Sequence, residues 1–179
     1  MTERSILFRT VHGSHLYNLA HAGSDNDFFT VVANRPKAKA RYAKQKVSAN
    51  GEDSLVMDFS SWLQSCVHGV PQALEAMFST MPLEDRLGDY RANFRVGSTV
   101  TETYLRTIKN FCYTAEYKRK RHALRLALNL REIWRYGRFN PTLTDDEVDF
   151  VSSVAEKDTD VVYAYAMNIG LDRFPLRMV

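Results

Sequence analysis

The stretch that decides the fold is His12-Gly13-Ser14-His15-Leu16-Tyr17-Asn18-Leu19-Ala20-His21-Ala22-Gly23-Ser24-Asp25-Asn26-Asp27, followed by the apolar run Phe28-Phe29-Thr30-Val31-Val32-Ala33. A Gly-Ser pair follows a short β-prone segment, Ile6-Leu7-Phe8, and Asp27 opens a second β-prone run. Residues i and i+2 of a strand point to the same face, so Asp25 and Asp27 are predicted to project their carboxylates together at a strand's start. Such a pair suits a hard divalent cation of the kind that accompanies phosphates. Gly13 lets backbone come close to a phosphate, and Ser14 is placed to start a helix whose amide-rich end favours anions. The features together predict a site for a metal–nucleotide complex. Read alone, Gly-Ser-Asp-Asn-Asp is also turn chemistry. The Gly-Ser pair upstream and the carboxylate-led strand downstream favour the site. A calcium loop lacks its glycine and terminal glutamate here.

Outward from this stretch, residues 5–11 are predicted as a first strand, 14–20 as a short helix and 25–33 as a second strand. The segment 35–46 carries six basic residues and no acid, and Pro36 makes it a loop. It reads equally as a solvated face or as a flap over triphosphate or an acceptor RNA. Asn50-Gly51 is a strong turn pair that sets up Ser54-Leu55-Val56-Met57 as a third strand. Asp58 precedes an amphipathic pattern from Phe59 to Val67, the position of an N-cap. Gly69 closes that helix and Pro71 opens the next, over 72–79. Glu75 in that helix is read as a structural partner for a basic residue.

From about residue 83 the pattern is read as wholly helical. Helices are predicted over 100–117 and 118–136, the second with Ala123, Leu126, Ala127, Leu130, Ile133 and Trp134 on a core-facing stripe. His122, Arg125, Asn129 and Glu132 form a separate polar stripe, by default solvated. Lys118-Arg119-Lys120-Arg121 adds four cations at the same end, suited to a triphosphate. Thr144-Asp145-Asp146-Glu147 is a capping box opening a helix to about Glu156, and a last helix is predicted over 159–171.

Composition sets the outer bounds. The 179 residues, 45% hydrophobic and 25% charged, describe a globular protein with a sizeable core. A net charge of +3 admits an anionic substrate without demanding nucleic acid. No apolar run approaches the ~20 residues that span a bilayer, and no signal-type hydrophobic region is present, so a cytoplasmic location is expected. Cys66 and Cys112 stand apart and are expected as small core residues. His12, His15 and His21 make no four-ligand zinc set. No P-loop lysine motif or Rossmann glycine set is present.

Gly13-Ser14, a short helix, then Ser24-Asp25-Asn26-Asp27 on a strand resembles the signature of the DNA polymerase β-like nucleotidyltransferase superfamily. Asp53-Ser54-Leu55-Val56-Met57-Asp58 with Phe59-Ser60-Ser61-Trp62-Leu63, then Gly69-Val70-Pro71 through Glu75, is similar to its bacterial and phage "predicted nucleotidyltransferase" group. Lys120-Arg121-His122 with Arg125, and Trp134 with Gly137, look like that group's helical second half. Asn18 stands where glycine is expected after the tyrosine, and Asn26 where an apolar residue is usual; neither replaces a ligand. The resemblance implies an α+β fold: a small mixed-sheet nucleotidyltransferase core over 1–80, and a helical C-terminal subdomain over 81–179 packed on it. It implies Mg²⁺ or Mn²⁺ on Asp25, Asp27 and Asp53, with Asp53 the third acid and Asp58 its competitor, assigned to the cap. Gly13, Ser14, Ser24, Lys120, His122 and Arg125 are the implied nucleotide contacts, and ATP is the expected nucleotide. The implied reaction moves a nucleoside monophosphate to a hydroxyl on RNA or tRNA, a protein or a small molecule, with RNA engaged through 35–46 and 118–121. The alternatives are a catalytically silent nucleotide- or RNA-binding module of this fold and, further off, a metal-dependent phosphohydrolase or nuclease.

Overall fold

A computed structural model describes residues 5–33, 45–49, 52–114 and 116–172. They form an α+β protein: a mixed five-stranded sheet in the order β3-β4-β2-β1-β5, helices packed on it, and a helical C-terminal half. The elements are β1 (Ile6–His12), α1 (Gly13–Leu16), β2 (Asn26–Val32), β3 (Gln45–Ala49), β4 (Glu52–Asp58), α2 (Phe59–Val67), α3 (Pro71–Phe78), β5 (Pro82–Asp85), α4 (Gly88–Asn93), α5 (Val100–Cys112), α6 (Tyr117–Tyr136), α7 (Asp145–Ala155) and α8 (Thr159–Gly170). They gather into two compact units, Met1–Phe94 with Asn140–Thr142, and Arg95–Phe139 with Leu143–Val179. No helix among the described residues is long and apolar enough to cross a membrane.

In the first unit, period-2 alternation on β1 buries Phe8, Thr10 and His12 on one face. β2 runs antiparallel to β1 and parallel to β4, with Phe29 and Val31 continuing that face. Helices α2 and α3 cover it. Trp62 of α2 stacks on Phe8, ring centroids 5.8 Å apart, and its indole N–H donates to the Ala73 carbonyl at 3.1 Å. Asp58 caps α2: Oδ1 accepts from the Ser61 N–H at 3.1 Å and Oδ2 from the Ser61 hydroxyl at 2.6 Å. Pro71 sits in the first turn of α3, where its missing N–H costs nothing. β3 pairs antiparallel with β4, Ala49 opposite Glu52; the turn expected at Asn50-Gly51 lies outside the described residues. So does the basic run 35–46, except for Gln45 and Lys46, which begin β3.

The stretch after residue 80 differs from the all-helical expectation. Pro82–Asp85 is a fifth strand on the free edge of β1, Arg9 opposite Glu84, and α4 follows it. The first unit therefore runs to Phe94 rather than dividing at 80/81. Pro82 fits such an edge, where one side of the strand needs no N–H donor.

The second unit is built around α6. Residues 123–131 are buried without a break, so this helix is enclosed on all sides rather than amphipathic. Fully buried Leu124, Leu126 and Leu130 each contribute roughly 1.5–3 kcal/mol. Two expectations fail here. Arg125 and Asn129, read as a solvated stripe, are 4% and 2% exposed, and Trp134, read as core, is 58% exposed. The enclosure ends at Ile133, and Trp134 falls in the last turn before Gly137 closes the helix with φ +71°. Thr144 and Glu147 form the capping box of α7, each side chain bonded to the other's backbone N–H. Cys66 and Cys112 are buried thiols, as expected. Burial pushes the Cys66 thiol far above its ordinary range and raises Cys112 to about 11, against a smaller lowering by Lys120.

Candidate metal and nucleotide site

The site lies at the end of the sheet where β1 finishes and the parallel pair β2 and β4 begins. In register, His12 is opposite Asp27 and Asp27 is opposite Asp53. Directly paired residues share a face, so His12, Asp27 and Asp53 form one row across three neighbouring strands, about 4.8 Å apart. The next row inward, Thr10, Phe29 and Leu55, belongs to the same face. Glu52 belongs to the opposite face, where it pairs with Arg9 at 3.1 Å while that guanidinium lies 4.4 Å over the Phe28 ring.

Gly13 closes the row from above. It has φ +65°, and a β-carbon there would meet Asp27 Oδ2 at 2.3 Å. The Asp27 carboxylate thus occupies the space a side chain at Gly13 would take. The close approach expected of Gly13 is made here to a carboxylate.

α1 is one turn, shorter than the 14–20 expected, and Ser14 lies inside it, with His12 at the N-cap. Asn18 ends it. With φ +59°, Asn18 occupies the left-handed position after the helix, and the Leu19 N–H returns to the Ser14 carbonyl at 2.9 Å. That is a glycine-type helix end, and asparagine is the side chain that tolerates it best. Asn18 thus adopts the backbone geometry of the glycine expected at this position. Asn18→Gly should change stability by no more than about 1 kcal/mol, and Asn18→Val should lower it by about 1–2 kcal/mol, read by urea denaturation.

The loop holding Asp25 is locked by its own side chains. The Ser24 N–H donates to the His21 carbonyl at 2.9 Å, the Ser24 hydroxyl accepts from the His21 N–H at 2.9 Å, and the Gly23 N–H donates to His21 Nδ1 at 3.2 Å. His15 Nε2 lies 3.5 Å from the Ser24 carbonyl. Asp25 itself is exposed, while Asp27 and Asp53 are half-buried.

The structure therefore brings Gly13, Asp27 and Asp53 together, with Ser24 and Asp25 on the adjoining loop. Among the described residues no three His, Cys, Asp or Glu side chains are gathered as a metal centre. The donor set fits a hard cation through the Asp27–Asp53 pair, two carboxylates held side by side by backbone pairing. Asp58 is elsewhere: it is opposite Val32 at the far end of β4 and is spent as a cap.

Sequence reasoning set His12 aside with the other histidines, yet its phase with Phe8 and Thr10 marks it as inward-facing. It is buried, with its ring edge-on to Tyr17 (5.9 Å) and Phe29 (5.7 Å). The Tyr17 hydroxyl donates to fully buried Glu75 at 2.5 Å. That bond gives Glu75 a buried hydroxyl partner.

Lys120, His122 and Arg125 belong to the second unit. Lys120 is buried and its Nζ donates to the Lys157 carbonyl at 2.7 Å, past the end of α7. His122 lies tilted against Phe111 at 5.9 Å, and Arg125 is buried in α6. No protein-family model matches this chain and no curated protein matches it, so the reading of the site rests on these residues themselves.

Proposed function

We propose that the protein is a metal-dependent nucleotidyltransferase that moves a nucleoside monophosphate from an NTP, ATP first among them, to a hydroxyl acceptor with release of pyrophosphate. The observation that carries this reading is the register of β2 on β4, which sets Asp27 beside Asp53 next to a glycine that leaves room for a carboxylate.

Asp25, Asp27 and Asp53 would hold Mg²⁺ or Mn²⁺. A bound divalent ion supplies charge neutralisation for the triphosphate and lowers the pKa of a coordinated hydroxyl. The acceptor oxygen forms its bond to the α-phosphorus as the bond to the pyrophosphate oxygen breaks, and Asp53 takes the acceptor proton. The Gly13–Ser14 turn lines the phosphates, so that positioning and charge balance provide most of the rate.

The test is incubation with α-labelled NTPs, Mg²⁺ and RNA, protein or small hydroxylated acceptors. Asp27→Asn and Asp53→Asn should each lower label transfer by about 100-fold or more. Glu52→Gln, a change on the opposite face, should leave transfer intact. Folded Asp27→Asn protein that transfers label as well as the parent overturns the assignment. Nucleotide binding without turnover in the parent would identify the silent module instead.

A further inference from the structure

At the junction of α5 and α6, the second unit exposes tyrosines interleaved with cations. Tyr113 is 66% exposed and Tyr117 is 41% exposed. The Lys109 ammonium lies 5.8 Å from the Tyr113 ring centre and the Arg121 guanidinium 5.3 Å from that of Tyr117. Tyr163 of α8 stacks beside Tyr113, centroids 6.0 Å apart and planes 29° apart, so the aromatic surface extends across two elements.

The charges here run against the helix. α6 begins with Lys118, Arg119, Lys120 and Arg121, and its first turn holds no acid. Cations at a helix's positive end are locally unfavourable. The N-cap acid, Glu116, is engaged by Arg119 at 3.2 Å. Lys120 is turned inward to the Lys157 carbonyl. Lys118 remains exposed, and Arg121 Nε is buried with no hydrogen-bond partner among the described residues. Asp160 lies in the first turn of α8, three residues before Tyr163. An anionic ligand relieves the cation crowding, and a flat one uses the open rings.

We propose that this surface binds single-stranded nucleic acid, with bases stacking on Tyr113 and Tyr117 and phosphates meeting Lys109, Lys118 and Arg121. Base stacking on aromatic side chains together with a cationic track is how sequence-tolerant strand binding is built. As a binding surface it stands independently; as the place where an acceptor strand is held, it rests on the transferase reading above.

The test is fluorescence anisotropy with a labelled 12-mer of single-stranded RNA, its DNA counterpart and the same RNA as a duplex. The parent should bind the single strands with an affinity that falls linearly in log–log form with salt, at least about tenfold more tightly than the duplex. Tyr113→Ala with Tyr117→Ala should weaken binding about tenfold or more, and the two Phe substitutions should retain it, because stacking needs the ring and not the hydroxyl. Lys118→Ala with Arg121→Ala should flatten the salt slope. Asp27→Asn should bind the strand like the parent even when transfer is lost, which separates failure of this surface from failure of the catalytic reading. Absence of salt-dependent strand binding by the parent, or full binding by the double alanine variant, overturns the proposal. Equal affinity for single strand and duplex would assign the patch to plain charge attraction and overturn it as well.

Discussion

Gly13→Ala is expected to cost roughly 2–4 kcal/mol of folding stability and to disable the carboxylate row. Two separate effects add. A φ of +65° is a left-handed backbone that costs an alanine about 1–2 kcal/mol. In addition, the new methyl would lie 2.3 Å from Asp27 Oδ2, so either the carboxylate or the β1–α1 turn must move. Gly137 provides the control: its φ is +71°, and a β-carbon there meets nothing within 4 Å. Gly137→Ala should therefore cost only the backbone part, about 1 kcal/mol. Urea denaturation of both variants measures the difference, which is the steric part. Adding Asp27→Ala to Gly13→Ala should recover most of that part, a coupling that a double-mutant cycle reads directly. Equal losses at the two glycines would mean that Asp27 does not press on Gly13.

The second large effect is expected at Arg91, a buried cation of α4. Its Nε donates to the Met77 carbonyl at 3.1 Å, its Nη2 to the Ser79 carbonyl, and its Nη1 pairs with Asp85 of β5. Its plane lies over the Phe8 ring, 4.2 Å from the centre. One guanidinium thereby ties the end of α3, the edge strand and the sheet core together. The Ser79 hydroxyl shares a 2.5 Å hydrogen bond with the Thr10 hydroxyl, which also donates to the Met81 carbonyl at 3.0 Å, so β1 belongs to the same network. Arg91→Ala strands two carbonyls and a carboxylate and should cost about 3–5 kcal/mol. Arg91→Lys keeps the charge but not the fork, and should fall between the alanine variant and the parent. Chemical denaturation gives the totals, and amide exchange on β5 should accelerate first, because among the described strands it pairs with β1 and lies at the sheet's edge, tied to α3 and α4 by this arginine. A loss under 1 kcal/mol for the alanine variant would show that the network is redundant.

Much of the architecture was legible wherever a local rule and the global fold agree. The β-prone segment of β1, the apolar run of β2, the Asp58 cap, the Gly69–Pro71 break and the Thr144 box all carry their structure within a few residues. β5 was hidden because Pro82, Leu83, Glu84 and Asp85 are all exposed, and a strand with no buried face shows no period. The burial of Arg125 and Asn129 was hidden for the opposite reason. A polar stripe implies solvent only when the helix has a solvent side, and the middle of α6 has none. Within the site, Gly13 and the two early aspartates could be picked out from spacing. The neighbour relation of Asp27 and Asp53 could not, because it arises from parallel pairing of strands separated by β3. The family resemblance suggested Asp53, and the register gives it a physical position.

The parallel pairing of β2 with β4 also sets an order of events in folding. The β3–β4 hairpin closes locally, whereas Asp27 and Asp53 meet only when segments 26 positions apart in the chain dock alongside each other. That docking also brings two carboxylates into adjacency, so the pairing gains nothing from their charges. A refolding chain should thus recover the β3–β4 pairing before the Asp27–Asp53 neighbourhood, which forms only once β4 lies against β2.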